Sequence, residues 1–429
     1  MLEAIPSRVF AARWGRVLAA LGSRGALLLA AAPELRVGDA ELRYLPDPDL
    51  YYLSGCTEPE AVLVLCPGFA EAPCTLFVRD RDPERELWTG VRGGVAGASE
   101  RFGADATHPI ADLPARLRRI LDGVDQLYYR PGVGRAPLDL LVQELLGAGR
   151  ARRPRHGVGL HTIADPGRLL DELRLIKDEY ELAALREAAR ITVETFREVQ
   201  ALVCRGAGEW ELEAALEGGF RRRGATGPAF PSIVASGPNA TVLHYVANDR
   251  ALAPGELVLI DAGARAGLYC ADMTRTWAVD GRFTTVQLEL HEIVRGAHDA
   301  ALAAAVPGNT AAAPHDAAVR VLVEGLVALG LLAGDPAELA AQPDSYRRFY
   351  PHRTSHWLGL DTHDVGDYVR GGVARLLEPG MVLTIEPGLY LPASEATLPA
   401  ALRGVGIRLE NAVVITGDGH EVLTGELPI

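Results

Sequence analysis

The chain has 429 residues, of which 48% are hydrophobic, and this length implies two domains rather than one core. The formal net charge of −13 argues against a nucleic-acid-binding surface, which needs clustered basic residues, and no basic run marks a membrane anchor. We therefore expect small-molecule or peptide partners, no nucleic acid and no membrane.

The cysteines indicate a reducing compartment. Five cysteines occur at no spacing typical of a metal site, and their odd number argues against a disulfide framework. The run GALLLAAAP resembles the apolar core of a signal peptide, but it is short and flanked by charged residues, so we interpret it as a buried strand. We expect a cytoplasmic protein.

The first part of the chain alternates helix-like and strand-like patterns, which is typical of an α/β domain. A loop then leads into a long amphipathic helix that begins near Asp178 and runs towards Val203. We place the boundary near Glu172, with domains at residues 1–172 and 173–429. The predicted elements of the first domain are helices at 6–21, 110–121 and 138–146 and strands at 26–31, 61–66 and 75–78.

The second part of the chain repeats a pattern. The segments PGELVLIDAG and PGMVLTIEPG align without gaps, and Asp261 of the first matches Glu386 of the second. Two helical stretches precede each copy: 178–203 with 209–223, and 286–305 with 314–331. This order predicts a duplicated helix-helix-sheet unit with an acidic residue from each half at the centre. A chance match between two apolar strands followed by turn residues is the alternative.

A hairpin is predicted in the first copy. The apolar residues 257–260 read as a strand buried on both faces, and turn residues follow before 268–277 returns as a strand. A turn centred between Ala266 and Gly267 places Asp261 opposite Asp272. Carboxylates about 5 Å apart repel one another unless a cation lies between them or one of them holds a proton. The pair therefore predicts a metal site or a carboxylate dyad.

Three more segments supply candidate ligands. The stretch SHWLGLDTHDVG contains His356 and His363, and Glu386 ends its own apolar strand. The alternating strand GIRLENAVVIT puts Arg408 and Glu410 on one face. Taken singly, each of these residues could instead be a turn cap, a salt-bridge partner or a core imidazole.

Taken together, the candidates form an oxygen-rich set with a single imidazole. Such a set suits Mn²⁺, with Co²⁺, Zn²⁺ or Fe²⁺ as competitors. Four carboxylates are too many for one divalent ion. Two ions about 3.5 to 4 Å apart, sharing a hydroxide, would balance the charge, and this arrangement is used for hydrolysis.

Several segments resemble the signature segments of the aminopeptidase P (Xaa-Pro aminopeptidase) family in order and spacing. They are VLIDAG, ADMTRTW, HRTSHWLGLDTHDVG, EPGMVLTIEPGLY and GIRLEN, while DLYYLSGCTEPEAVLVL and RDRDPERELWTGVRGG resemble the family's N-terminal domain. The family belongs to the pita-bread metallopeptidases, with prolidase, methionine aminopeptidase and the non-metal creatinase. The resemblance implies an α/β (α+β) chain: a creatinase/aminopeptidase P-like N-terminal domain, then a pita-bread catalytic domain with pseudo-twofold duplicated helix-helix-sheet halves.

The resemblance also implies a ligand set for two divalent ions. Asp272 and Glu410 match the ligands that bridge both ions. Asp261 matches the ligand that completes one coordination shell, and His356 with Glu386 matches the pair that completes the other. Mn²⁺ is the first candidate for both ions.

The implied activity is that of a metallo-exopeptidase. A metal-bridging hydroxide would hydrolyse the bond between an N-terminal residue and a following proline, with Glu386 relaying a proton. His244 and His363 match histidines that orient the substrate or stabilise the tetrahedral intermediate. Three further residues match supports of the ligands and substrate: His352, Tyr390 and Arg408.

The implied partners are peptides with proline at the second position and further copies of the chain, as a homodimer or homotetramer. Trp88 matches a tryptophan that reaches a neighbouring active site, and a core position is its alternative. Arg353 and Thr354 stand where the family pattern has Gly-Leu, and Asn411 stands where it has Asp. These departures bear on rate rather than on the chemistry.

Two alternative functions stay open. Prolidase shares the fold and the ligands but cleaves only Xaa-Pro dipeptides, using a group that binds the free carboxylate of proline. A catalytically inactive peptide-binding module would be marked by loss of ligands, and none is lost.

Overall fold

A computed structural model of the chain describes residues 5–132 and 135–429. The chain divides into two compact units, one ending at Leu173 and the other running from Arg174 to Ile429. Within these described ranges, no helix has both the length and the apolar character that crossing a bilayer requires.

The N-terminal unit is built around a six-stranded mixed sheet. Its strand Gly25–Ala30 is buried throughout, and it pairs antiparallel with Val62–Leu65 and parallel with Gln126–Tyr128. The run GALLLAAAP therefore forms a core strand, as predicted. From edge to edge the strands are Ala106–Pro109, Cys74–Val78, Val62–Leu65, Gly25–Ala30, Gln126–Tyr128 and Thr162–Ala164, and a two-stranded ribbon joins Arg36–Val37 to Ala40–Glu41. The helices are Ser7–Leu21, Pro48–Ser54, Pro83–Thr89, Gly94–Phe102, Leu113–Ile120 and Ala136–His156, and the helix Gly167–Leu175 crosses the boundary to the second unit.

The helix predicted at 138–146 is longer in the structure and ends at His156. Gly149 lies within it, and a Cβ atom there would meet the carbonyl oxygen of Leu160 at 2.3 Å. This glycine therefore allows the following segment to pack closely instead of ending the helix. The strands Gln126–Tyr128 and Thr162–Ala164 were not predicted, because three residues are too few to show a period.

The C-terminal unit contains two helix pairs, each followed by antiparallel strands, which agrees with the predicted duplication of a helix-helix-sheet unit. The pairs are Glu179–Gln200 with Glu209–Arg222, and Thr285–Ala304 with Ala313–Ala328; the short helices Pro336–Ala340 and Pro343–Tyr346 follow. The first helix starts where predicted, because the Asp178 side chain accepts hydrogen bonds from the backbone of Tyr180 and Glu181.

The strand Leu257–Asp261 is the centre of the first half's sheet, between Ile233–Ser236 and Thr274–Ala278. The first half also contains Gly227–Pro228, Ala264–Ala266 and Tyr269–Cys270. The strands of the second half are Val369–Arg370, Val373–Ala374, Val382–Ile385, Gly388–Leu391, Val405–Arg408, Asn411–Ile415 and His420–Val422. Apolar residues of these strands pack against the helices and form the core of the unit.

The register of the hairpin differs from the prediction. Asp261 lies opposite Thr274, not opposite Asp272. The turn is centred one residue later than predicted, between Gly267 and Leu268. Because this moves the partner by two residues, Asp272 keeps the side of the hairpin that Asp261 occupies and becomes its diagonal neighbour. The predicted facing pair is therefore wrong, although the two carboxylates stay close enough to interact.

The two halves meet where the strand Thr274–Ala278 runs beside the strand Val405–Arg408. The Thr276 hydroxyl donates to the Arg408 carbonyl oxygen at 3.0 Å, and the Arg408 N–H donates to that hydroxyl at 3.2 Å. The N–H of Glu410 donates to the carbonyl oxygen of Thr274 at 3.1 Å. This seam brings the hairpin of the first half next to Glu410 of the second.

Candidate metal centre

The five predicted ligands line one cavity of about 610 Å³ in the C-terminal unit. Among the described residues, Asp272, His356 and Glu410 each offer a ligand atom within 4.8 Å of the other two. His356 links this group to Glu386, because its Nε2 lies 3.5 Å from Asp272 Oδ2 and 3.4 Å from Glu386 Oε1. Asp261 completes the set in the cavity wall.

Backbone pairing positions His356. The segment around it runs beside the strand Val382–Ile385: Thr384 N–H donates to the His356 carbonyl oxygen at 3.0 Å. The ring Nδ1 lies 3.0 Å from the carbonyl oxygen of Trp357, so Nδ1 carries the proton. Nε2 therefore presents its lone pair to the carboxylates, which is the tautomer that a metal ligand needs.

Two threonines hold the two glutamates. Thr274 donates to Glu410 Oε2 at 2.6 Å, and Thr384 donates to Glu386 Oε1 at 3.2 Å. Sequence reasoning missed both threonines. Thr384 precedes Glu386 by two residues on one strand, so the period-two spacing is the signal that could have found it.

Three carboxyl groups of the cluster are difficult to ionise together. Burial raises the pKa of Asp272 well above its usual value, and the charges of Asp261 and Glu386 raise it further. Burial and the charge of Asp272 likewise raise the pKa of Glu410, and burial raises that of Glu386. The charge of Arg408 offsets this repulsion only in part, and a cation among the carboxyl groups would offset the remainder.

The donor set fits a hard divalent metal ion. It combines carboxylate oxygens with a single imidazole nitrogen, the combination that suits Mn²⁺ and similar ions. In the part of the chain that the structure describes, Asp261 Oδ1 is buried and makes no hydrogen bond. A buried carboxylate oxygen of this kind is costly unless it is coordinated.

Arg408 connects Asp261 to Tyr390 and His352. Its Nη2 donates to Asp261 Oδ2 at 2.6 Å, and its Nη1 donates to the Tyr390 hydroxyl at 3.0 Å. Tyr390 lies 2.7 Å from His352 Nε2, while His352 Nδ1 lies 2.8 Å from the Arg353 carbonyl oxygen. His352 Nδ1 therefore carries the proton, and Nε2 accepts the hydroxyl proton of Tyr390. Burial, together with the charge of Arg408, lowers the pKa of His352 to about 3, so this ring is neutral.

The two predicted catalytic histidines lie on the wall of the same cavity. His363 meets the His356 ring edge to face, with centroids 4.5 Å apart and planes at 88°. Burial holds the pKa of His363 below its usual value. His244 is exposed at the cavity surface. Sequence reasoning missed the apolar wall, which comes from two loops and the start of the strand Ile233–Ser236, without a common period: Phe230, Pro231, Ile233, Leu243 and Val246.

A buried ion-pair network supports the loop that carries His363. Lys177 Nζ lies 3.0 Å from Asp364 Oδ2, and Arg174 Nη2 lies 2.6 Å from Asp364 Oδ1. Although burial alone would raise the pKa of Asp364, these two cations hold it below its usual value. Lys177 is the only lysine of the chain, and the network ties it to the segment after the candidate ligand His356.

The departures from the family pattern make contacts of their own. The Thr354 hydroxyl lies 2.6 Å from the Tyr350 hydroxyl and 3.0 Å from His315 Nδ1. Asn411 Nδ2 donates to His298 Nε2 at 3.2 Å. Burial lowers the pKa of His298 to about 3, so its ring is neutral and accepts this bond, which an ionised Asp could not donate. Arg353 lines the cavity.

Trp88 lies in the other unit, on the helix Pro83–Thr89. Its side chain is 86% exposed, and its neighbours Leu87 and Val91 are 82% and 81% exposed. The alternative that Trp88 is a core residue is therefore wrong.

Comparisons with known proteins agree with this geometry. Residues 183–417 match the model of Metallopeptidase family M24, and residues 10–128 match the aminopeptidase P N-terminal domain. A Xaa-Pro aminopeptidase of Escherichia coli K12 is 40% identical over 94% of this chain and 91% of its own length. A solved aminopeptidase of Pseudomonas aeruginosa has a TM-score of 0.94 at 41% identity and covers 100% of this chain and 96% of its own. Zinc-substituted E. coli aminopeptidase P in complex with product has a TM-score of 0.92 at 38% identity. This match covers 99% of the present chain and 96% of the E. coli chain.

These matches confirm the predicted fold class and the enzyme class, and the family implies divalent metal ions. The sequence similarity to these relatives extends over both units and is not confined to the C-terminal unit. The chain belongs to metallopeptidase family M24 and, within it, to the aminopeptidase P group of metal-dependent exopeptidases.

Proposed function

We propose that this protein is a Xaa-Pro aminopeptidase, which releases the N-terminal residue from peptides with proline at the second position. The observation that carries the proposal is the convergence of Asp272, His356 and Glu410 in one cavity. The E. coli relative that bears the name Xaa-Pro aminopeptidase and matches 94% of this chain supports this substrate class.

The residues of the cavity would hold a pair of divalent ions, with Mn²⁺ as the first candidate. Asp272 and Glu410 would bridge the pair, Asp261 would complete one coordination shell, and His356 with Glu386 would complete the other. The raised pKa values of three of these carboxyls support the need for added positive charge in the cavity. When bound, the ions supply a water of lowered pKa as the nucleophile and positive charge beside the scissile carbonyl.

The remaining residues position the substrate and handle the proton. Glu386 would accept a proton from the attacking water and pass it to the leaving nitrogen. His244 and His363 stand on the wall where they can donate to the substrate carbonyl. Arg408 and Tyr390 keep His352 in one tautomer, so that His352 presents a fixed surface to the substrate.

A prolidase and an inactive peptide-binding module are the competing functions. All five donors share one cavity with the lone pair of His356 Nε2 directed at the carboxylates, which a module that only binds peptides does not require. Prolidase differs in substrate length, so peptide cleavage distinguishes it from an aminopeptidase.

The deciding experiment measures hydrolysis of Xaa-Pro-Xaa tripeptides and Xaa-Pro dipeptides by protein that has been stripped with a chelator and reloaded with Mn²⁺. Release of the first residue from tripeptides, lost in Asp272→Ala, is the expected result. Cleavage of dipeptides alone would indicate prolidase. Absence of cleavage under every divalent metal, with peptide binding retained, would indicate the binding module.

We also propose that the protein is a cytoplasmic homodimer or homotetramer with domains at 1–172 and 173–429. The exposed apolar side chains of Leu87, Trp88 and Val91 support a contact with another copy, because large exposed apolar patches mark interaction sites. The five free cysteines are consistent with a reducing compartment. Light scattering on the parent and on Trp88→Ser tests the assembly: we expect a dimer or tetramer that dissociates in the variant.

A further inference from the structure

Arg353 is an unusual residue of the cavity. It is exposed, it lines the cavity, and it stands where the family pattern has glycine. Over residues 5–132 and 135–429, its guanidinium makes no hydrogen bond or salt bridge. The other arginine of the cavity wall, Arg408, is buried and already donates to Asp261 and Tyr390.

The backbone under Arg353 is held on both sides. Its carbonyl oxygen lies 2.8 Å from His352 Nδ1, which donates to it. The next residue, Thr354, donates its N–H to His315 Nδ1 at 3.2 Å and accepts the N–H of Glu386 at 2.8 Å. The side chain therefore extends from a fixed support, and binding through it does not require a loop to be ordered first.

The charges of the cavity separate into a buried acidic part and this exposed cation. The carboxylates Asp272, Glu386 and Glu410 lie together, and a substrate carboxylate would be repelled there unless a cation intervened. Arg353 offers an uncommitted guanidinium, a planar group with five donors that matches the geometry of a carboxylate.

The direction of the substrate follows from the proposed exopeptidase reaction. The N-terminal residue and the scissile bond must lie at the buried metal ligands, and the proline ring carries no charge. The peptide beyond proline must leave through the open part of the cavity, where exposed residues such as Arg353 stand.

We propose that Arg353 is a specificity-determining residue that binds a carboxylate carried by the residue after proline. This carboxylate is the C-terminal group of a tripeptide or the side chain of Asp or Glu at the third position. The inference rests on the proposed function, because it assumes cleavage before proline.

The test compares four peptides: Leu-Pro-Ala, Leu-Pro-Ala amide, Leu-Pro-Glu amide and Leu-Pro-Gln amide. Each is cleaved by the Mn²⁺-loaded parent, Arg353→Gln, Arg353→Lys and the control Arg347→Gln. Arg347 is exposed and pairs with Asp344 at 3.7 Å. We expect the parent to prefer a carboxylate peptide over its amide or Gln counterpart by about 3- to 10-fold in kcat/KM, mostly through KM, at low salt.

Arg353→Gln should bring this ratio close to one, Arg353→Lys should keep part of it, and Arg347→Gln should leave it at the parental value. High salt should reduce the ratio in the parent. A preference confined to Leu-Pro-Ala identifies the C-terminal carboxylate as the ligand, and one confined to Leu-Pro-Glu amide identifies the side chain.

A ratio that Arg353→Gln does not change would overturn the inference, while cleavage of Leu-Pro-Ala amide by the parent would leave the proposed function standing. Failure of the parent to cleave any of the four peptides would instead overturn the proposed function. A loss of cleavage of all four peptides in equal proportion in both Arg353 variants would also overturn the inference, because it would indicate a general structural role.

Discussion

The two halves of the C-terminal unit hold a carboxylate at the same place, the end of a buried strand, but surround it differently. Asp261 in the first half is paired with the guanidinium of Arg408 at 2.6 Å. Glu386 in the second half lies 3.4 Å from the imidazole of His356 and accepts a hydrogen bond from Thr384. Duplication thus sets where the two carboxylates lie, while their neighbours set their chemistry.

Each half also supports a carboxylate of the other. Arg408 of the second half reaches Asp261 of the first, and Thr274 of the first half donates to Glu410 of the second. Neither half contains a complete site, which explains why the candidate ligands are divided between the two.

Replacing Asp272, a candidate ligand of both metal ions, should have the largest effect. Asp272→Asn keeps the size of the side chain but removes a charge and a candidate bridging ligand. We expect kcat/KM on a Xaa-Pro-Xaa tripeptide to fall on the order of 10³-fold or more with saturating Mn²⁺. Asp418→Asn, at an exposed position, is the matched control and should retain parental activity. Near-parental activity in Asp272→Asn would contradict the proposed ligand set.

Removing the hydrogen bond from Arg408 of the second half to Asp261 of the first half should have the next largest effect. Arg408→Met leaves Asp261 and Tyr390 without their donor, so we expect kcat/KM to fall about 10- to 100-fold and Tm to decrease. Steady-state kinetics and thermal melts measure the two effects, with Arg347→Met as a control. A lower Tm with unchanged kcat/KM would show that Arg408 acts on stability alone.

The threonines that hold the glutamates allow the halves to be compared directly. Thr384→Val should weaken Mn²⁺ binding about 10-fold by releasing Glu386. Thr274→Val should weaken it more, because the Thr274 hydroxyl donates to Glu410 and also accepts from Arg408 Nε at 3.2 Å. Calorimetric titration of metal-free protein measures both affinities. Equal losses would contradict the difference between the two halves.

The smallest effect concerns the pH dependence of the metal-free protein. The pKa of Asp272 is raised in the folded state, so its protonation contributes stability that is fully present below about 3.8 and is lost as pH rises through the raised value. We therefore expect the metal-free parent to gain stability as pH falls from 8 towards 5, by at most about 1.4 kcal/mol for each unit of pH below the raised pKa. Asp272→Asn should show a weaker gain in denaturant titrations at matched pH values. An identical pH dependence in the two proteins would contradict the repulsion within the cluster.

Local patterns predicted the elements that depend on neighbouring residues. The capping residue Asp178 marked the start of its helix, and the apolar runs marked the strands that end at Asp261 and Glu386. The register of the hairpin was not predictable in the same way, because a glycine-containing turn allows its centre to move by one residue at little local cost.

In the candidate site, too, some features were predictable from local sequence and others were not. The five donors were predicted from their segments and from the family resemblance. The bond from Thr274 to Glu410 joins residues 136 positions apart, and no local pattern reports such a contact. The exposure of Trp88 was likewise not predictable, because a tryptophan suits both a core and an interface.

The sequence by itself determined the two-part organisation, the duplicated helices and strands, and the types of side chain available to hold metal ions. These follow from periodicity and composition, which act over a few residues. Only the tertiary structure decided that Arg408 pairs with Asp261, that His356 presents Nε2 to the carboxylates, and that Arg353 remains uncommitted at the cavity surface. The physical reason is that hydrogen bonds and charge repulsion act through space, so most of them are set only when segments distant in the sequence pack together.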